Sequence, residues 1–240
     1  YLRKFWHPVA LSRDLKAGKV VPILVMGEKF TLYRGETGAV HVVGFRCAHR
    51  SAQLSIGWVR DDCIQCMYHG WKYDGDGKCV ERPGEKRPGP FATANIPAYP
   101  TQEHLGLVYA YFGEGEAPAF PPFEGYKQVG MIENHAADFP SNWFQTMENH
   151  FDETHVVFVH SFSGSHDNLG RGLVLPEIKT YETDFGMVRE TQTPGSNKTR
   201  STLYFLPNIM RILVPTFGEL TEVGGWRDSY IILVPIDDEN

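Results

Sequence analysis

Cysteine is scarce in this chain of 240 residues: there are four. That is too few for the disulfide framework of a secreted protein, and their clustering points to metal or redox chemistry in a reducing compartment. Basic clusters are missing as well. The 23 Lys and Arg residues set against 29 Asp and Glu leave a net charge of −6, with the cations dispersed. No stripe of positive potential is offered to a phosphate backbone, so nucleic acid is not an expected partner. No apolar run approaches the roughly 20 residues of a membrane span, no signal-peptide pattern opens the sequence, and no membrane is expected as a partner. Internal repeats and low-complexity segments are also lacking. The expectation is a soluble globular chain with a cytoplasmic address, whose 42% apolar positions suffice for one large core or two modest ones. The ends read as those of a fragment, since "YLRKFWHPVA" starts without Met and "YIILVPIDDEN" stops in mid-strand by its alternation.

What is present falls into two regions. From Val20 to Phe112 come short runs rich in Val, Ile, Tyr and Phe: "VPILVM", "FTLYR", "AVHVVGF", "WKYD" and "GLVYAYFG", cut by turns such as "GETG" and "GDGK". They predict a small antiparallel β domain. The stretch "GEGEAPAFPPFEGY", residues 113 to 126, concentrates Pro, Gly and Glu without apolar periodicity and reads as a linker or domain-bounding loop. Two domains follow, 1–115 and 116–240. In the second, Ser141 or Asn142 can cap a helix in which Trp143, Met147 and Phe151 recur at i, i+4 and i+8. The stretches "LVLPEIKTYET", "MVRETQT", "STLYFLPNIMRILV" and "SYIILVPI" then predict strands, so the fold class is α+β with a helix on an antiparallel sheet.

Two sets of side chains carry chemistry. Three of the four cysteines and two of the ten histidines lie between residues 47 and 71. Cys47 and His49 form C-x-H; Cys66 and His69 form C-x-x-H; both pairs sit in loops between strands. Zinc is one reading, although mixed pairs lacking an H-x₃₋₅-H helix pair fit it poorly. A [2Fe–2S] cluster gives the mixture a use, because two loops that each supply one Cys and one His can place thiolates on one iron and imidazoles on the other. The second set, "MENHFDETHVVFVH", puts Asp152 and His155 three apart on one helical face, with His160 five further on. In a strict helix His160 lies about 140° around from His155. Both reach one metal only if the helix distorts or ends between them, which the poor helix formers of "VVFV" favour.

The first motif, followed by "YHGW", resembles the Rieske cluster signature, and the second resembles the non-haem iron motif D-x-x-H-x₄-H of Rieske oxygenases, here preceded by Glu148-Asn149. The resemblance runs from "FWHPVALSRDL" to "VPIDDEN" and is closest to the phthalate-dioxygenase-like branch, through "YHGWKYDGDGKC" and "ERPGE". It implies a β domain holding the cluster through Cys47, His49, Cys66 and His69. It also implies a helix-grip α+β domain whose His155 and His160 bind a mononuclear Fe(II). Asp152 becomes a bridge between that iron's histidine and a Rieske histidine, His69 or His49, of a neighbouring subunit, which calls for a homotrimer. His150 is read as a bystander, and Cys63 and Cys79 as structural. The third iron ligand, a carboxylate in the family, finds no candidate before Asn240.

The activity implied is O₂-dependent hydroxylation of an aromatic or heteroaromatic substrate, driven by NADH-derived electrons arriving through a reductase or ferredoxin. Phe144, Met147, Val156 and Phe205 are expected in the pocket. Ala52 and Tyr68 stand where respiratory Rieske proteins carry a bracing disulfide, and Trp71 where they carry a serine hydroxyl, so the potential is expected near the low end of the Rieske range, about −150 mV. Ser51 stands where the family usually has Gly, which puts that turn's geometry in question. The alternative is a Rieske electron-transfer protein with a partner-binding second domain, against which Asp152, His155 and His160 speak. A zinc-stabilised binding module is a third.

Overall fold

The computed structural model describes residues 1–86, 90, 94–121, 131–162, 174–195, 199–215 and 226–239. The chain divides into two compact units, Tyr1–Pro140 with Pro235–Asn240, and Ser141–Val234. The proline-rich run had placed the boundary at 115. Its described part instead packs on the first unit: Trp6 Nε1 donates to the Pro118 carbonyl at 3.0 Å, and the Phe120 ring meets Trp6 and Tyr109 with centroids 5.4 and 5.0 Å apart. Apolar rings overrule a composition that alone reads as linker.

Among the described residues the first unit has eleven short strands: β1 (Trp6–Leu11), β2 (Val20–Val25), β3 (Glu28–Arg34), β4 (Val40–Gly44), β5 (Trp58–Arg60), β6 (Cys63–Gln65), β7 (Lys72–Tyr73), β8 (Cys79–Glu81), β9 (Ala98–Tyr99), β10 (Thr101–His104) and β11 (Leu107–Tyr111). They form three antiparallel sheets, ordered β1-β11-β10, β2-β3-β4-β9 and β5-β6-β7-β8. The lead-in before Val20, unassigned from sequence, supplies β1. Its register shifts between Pro8 and Ala10, as fits a proline, which lacks the N–H a central strand needs. One core cluster gathers Tyr33, Leu54, Ile64, Trp71, Tyr73 and Ile96 together with Cys47, Cys66 and Cys79.

In the second unit, α1 (Trp143–Phe151) and α2 (Thr154–Phe162) precede a five-stranded meander of β12 (Glu177–Thr183), β13 (Gly186–Gln192), β14 (Thr199–Phe205), β15 (Ile209–Pro215) and β16 (Trp226–Ile232). Asn142 caps α1 by accepting from the Phe144 amide at 2.9 Å, satisfying one of the orphan donors of a helix start. Trp143 and Phe151 pack beside buried Met147, Tyr204 and Met210, so the 3.6-residue period correctly marks the inner face. The antiparallel sheet with helices matches the expected α+β class. The strand predicted through "SYIILVPI" is shorter than expected: β16 ends at Ile232, and the carbonyls of Pro235 and Ile236 accept from the amides of Met26 and Gly27 at 2.8 and 2.7 Å.

Candidate functional site

The Cys47 and Cys66 loops lie between strands, 47–53 after β4 and 66–71 between β6 and β7, and they close in the same way. The amide of each cysteine donates five residues ahead, Cys47 to Ala52 and Cys66 to Trp71, both at 2.8 Å. The residue four ahead donates back to the cysteine carbonyl, Ser51 to Cys47 at 2.9 Å and Gly70 to Cys66 at 3.0 Å. Both returning residues are left-handed, Ser51 with φ 55° and Gly70 with φ 75°. The serine therefore adopts the conformation a glycine takes for nothing, and the turn doubted from sequence is the twin of its partner.

Within this frame the four candidate ligands sort by element. Cys47 and Cys66 are each 2% exposed and belong to the same core cluster. His49 and His69 sit with ring centroids 4.6 Å apart, His69 being exposed and His49 half-buried. Among the described residues no three His, Cys, Asp or Glu side chains converge on a point that could hold a single ion. Two loops that each bring one cysteine and one histidine give the donor set of a two-iron cluster with thiolates on one iron and imidazoles on the other.

Two further observations test the fit. His49 Nδ1 is buried without a hydrogen-bond partner, an atom that a metal bond would satisfy. Burial pushes the Cys47 thiol up, while the Tyr73 hydroxyl and the His49 amide pull it back. The residues fit the cluster.

The surroundings hold these groups in place. The Tyr73 hydroxyl accepts from the Ala48 amide and lies 3.1 Å from Cys47 Sγ, to which it donates once the sulfur is deprotonated. Trp71, from the second loop, stacks on His49 of the first at 4.7 Å and 5°, and the Arg82 guanidinium lies over Trp71 at 5.3 Å. The Tyr68 ring covers His69 at 3.9 Å, at the position where a disulfide partner was missed. Ala52 packs against the core. Cys79 is buried and Cys63 half-buried, and burial raises both thiols.

In the second unit the helix does break, but not where expected. The α2 helix runs continuously through His155 and His160, whose ring centroids nevertheless come within 5.5 Å. The break falls earlier, at Asp152, which stands outside both helices with φ −83° and ψ 110°. It does not share a helical face with His155; its Oδ1 accepts from the amides of Thr154 at 2.7 Å and His155 at 3.3 Å. A side chain that offers the backbone an alternative partner ends one helix and starts the next. The amides of Thr154 and His155, with the nearby imidazole, hold the Asp152 carboxyl below its ordinary range. Asp152 Oδ2 also lies 3.5 Å from His155 Nδ1, a buried atom without a formed hydrogen bond.

His160 is exposed, and no third ligand joins the two histidines among the described residues. His150 Nδ1 meets the Thr146 carbonyl at 2.6 Å within α1. Met147, expected in a pocket, belongs to the core, whereas Phe144 is 53% exposed. Sequence reasoning missed Glu153, Arg189, Arg200 and Tyr204, which lie beneath the Asp152 break; a charged residue in isolation reads as surface, so no local signal marks them.

The Rieske [2Fe-2S] domain family matches residues 5–100. The chain is 29% identical to the oxygenase subunit of 3-chlorobenzoate-3,4-dioxygenase from Comamonas testosteroni, over 100% of this chain and 57% of that protein. It is 32% identical to phenoxybenzoate dioxygenase subunit alpha from Ectopseudomonas oleovorans, over 100% and 62%. The chain thus spans little more than half the length of these relatives. Among solved structures, dicamba monooxygenase bound to dicamba superposes with a TM-score of 0.79 at 23% identity, covering 100% of this chain and 75% of that one, which establishes the fold. No described helix is long and apolar enough to cross a membrane. With its paired loops and the family match over residues 5–100, the chain carries a Rieske [2Fe-2S] domain, and over its whole length it is similar to the oxygenase subunits named above.

Proposed function

We propose that the intact protein is the terminal component of an oxygenase that hydroxylates an aromatic acid or a related heteroaromatic. In this reading Cys47 and Cys66 hold one iron of the cluster and His49 and His69 the other, while His155 and His160 hold Fe(II). Bound there, the cluster supplies single electrons and the Fe(II) the open positions at which O₂ meets substrate. The observation that carries the reading is that two buried cysteines of one core cluster and two neighbouring imidazoles, one half-buried and one exposed, come from two loops of the same closure. Exposed His69 gives electrons a short way in or out through its ring. Asp152, half-exposed and placed against His155, serves as the acceptor joining the iron histidine to a Rieske histidine of a neighbouring copy, and the assembly is a homotrimer. NADH is the electron source, through a separate reductase or ferredoxin. The chlorobenzoate and phenoxybenzoate named for the relatives support an aromatic acid as the substrate class.

Asp152→Asn provides the test. The amide preserves shape but removes the charged acceptor, so cluster absorption and mononuclear iron persist while substrate-dependent product formation falls by at least about tenfold, the scale of losing a partner of a metal ligand. Benzoates and phenoxybenzoates supplied with NADH and a reductase are the substrates to try. Wild-type turnover in the variant excludes the bridge; a wild-type protein that carries the cluster yet consumes no O₂ with any of them returns the electron-transfer alternative.

A further inference from the structure

The break that sets Asp152 and His155 apart from α1 is held from beneath by the sheet. Arg189, on β13, is buried, its side chain 5% exposed. Its Nη1 donates to the carbonyls of His150 at 3.0 Å and Phe151 at 2.5 Å, the last turn of α1, and its Nη2 to Glu153 Oε1 at 2.6 Å. Arg200, on β14, donates to both Glu153 oxygens. The Tyr204 hydroxyl adds a bond to the His150 carbonyl at 2.8 Å, and its ring stacks on Phe151 at 3.6 Å. Each contact answers a need: the final carbonyls of a helix have no partner within it, and a cation at that end meets its negative pole.

The direction of the side chains across the break matters most. Asp152 points outward, its side chain 51% exposed, while the next residue, Glu153, points into the sheet at 7%. Residues on both sides of Asp152 are thus tied to one guanidinium, the carbonyls of 150 and 151 before it and the carboxylate of 153 after it. With both flanks tied, the Asp152 backbone keeps the extended conformation that lets its carboxylate reach the first amides of α2. Stability alone gives no account of this arrangement, because a buried ion pair generally holds a fold no better than well-packed apolar groups of similar volume. Apolar groups cannot supply its directed bonds to two carbonyls and a carboxylate.

We propose that Arg189, acting with Glu153, is a positioning residue for the Asp152–His155 pair: it sets the angle at which α2 leaves α1 and with it the placement of both histidines for iron. The inference rests on the reading of His155 and His160 as iron ligands and of Asp152 as the bridge.

The experiment compares the intact protein with Arg189→Lys and with the neutral pair Glu153→Gln/Arg189→Met. Lysine keeps the charge, but its single ammonium cannot span two carbonyls and a carboxylate as the planar fork does. The neutral pair removes both buried charges and leaves only Arg200, whose side chain is 38% exposed and can be hydrated, and so tests the site if the lysine variant fails to fold. The readouts are thermal unfolding, cluster absorption, mononuclear iron per chain, the electron paramagnetic resonance of the iron treated with nitric oxide, and amide hydrogen exchange at Thr154 and His155. In each folded variant cluster absorption stays at the wild-type level, exchange at the two amides rises at least about tenfold, and iron affinity falls at least about tenfold with a broadened nitric oxide signal.

A neutral pair that regains wild-type stability, iron and exchange rates together overturns the proposal, because charge balance is then all the network does. If the wild-type protein binds no mononuclear iron, the functional reading fails instead; the exchange rates still decide whether Arg189 orders the break.

Discussion

The two candidate ligand sets are held in opposite ways. In the first unit each ligand loop is closed by its own backbone, with the cysteine amide reaching five residues ahead and a left-handed residue reaching back. In the second, the histidines ride on a helix whose start depends on Asp152, and the residues flanking Asp152 are tied by side chains from β13 and β14. Loop closure of the first kind needs only near neighbours, so the sequence motif and the geometry coincide. The second kind needs a sheet to be in place. The lesson is that a spacing motif can be complete in one region of a chain and merely necessary in another.

The largest effect expected from breaking this comparison is at the self-contained loops. Cys66→Ser abolishes the cluster absorption, because a hard, weakly acidic hydroxyl replaces a soft thiolate, while amide exchange at Thr154 and His155 in the second unit stays unchanged. Visible absorption and hydrogen exchange on the same sample check both halves. Cluster retained in the variant means that another thiol substitutes, and Cys79, in the same core cluster, is the one to replace next.

A smaller effect separates the units by pH. Burial pushes His7 and His41 of the first unit below their ordinary value of 6.5, with the Leu2 carbonyl partly restoring His7 and Asp62, Asp76 and Asp74 partly restoring His41. Both imidazoles stay neutral in the fold when the unfolded chain would already be protonated. Their contribution is therefore complete above pH 6.5 and is lost as pH falls through the depressed values. Until those values are reached, the loss is up to about 1.4 kcal/mol per histidine per pH unit. Thermal unfolding followed by the visible circular dichroism of the cluster, between pH 7.5 and 5.5, measures the slope. His7→Gln keeps a donor for the Leu2 carbonyl, which lies 2.8 Å from His7 Nε2, and should flatten that slope; an unchanged slope assigns the acid sensitivity elsewhere.

The smallest effect sharpens the likeness of the two loops. Ser51 holds a left-handed conformation that its twin Gly70 holds without strain. Ser51→Gly is expected to stabilise the first unit by up to about 1 kcal/mol, relief of the side-chain penalty being offset in part by the freer unfolded glycine. The mirror change, Gly70→Ala, is expected to destabilise it, since the added Cβ meets Pro83 Cγ at 3.1 Å besides straining the backbone. Denaturant midpoints of the two variants settle the sign of each.

What was legible in the sequence was what near neighbours encode. Turn residues between β-branched runs marked the strands from β2 to β4, the period of Trp143, Met147 and Phe151 marked the inner face of α1, and the spacing of Cys47, His49, Cys66 and His69 marked two loops that close alike. Tertiary structure alone decided the rest. Trp71 stacks on His49 across two loops, and Phe120 folds back on Trp6, contacts that no local pattern announces. Asp152 leaves the helical face because two amides beyond it are a nearer partner than a continued helix. Glu153 finds Arg189 and Arg200 36 and 47 residues away. A lone carboxylate or guanidinium carries no mark of burial in the sequence, because what makes burial tolerable is its partner, and only the folded sheet brings the partner within reach.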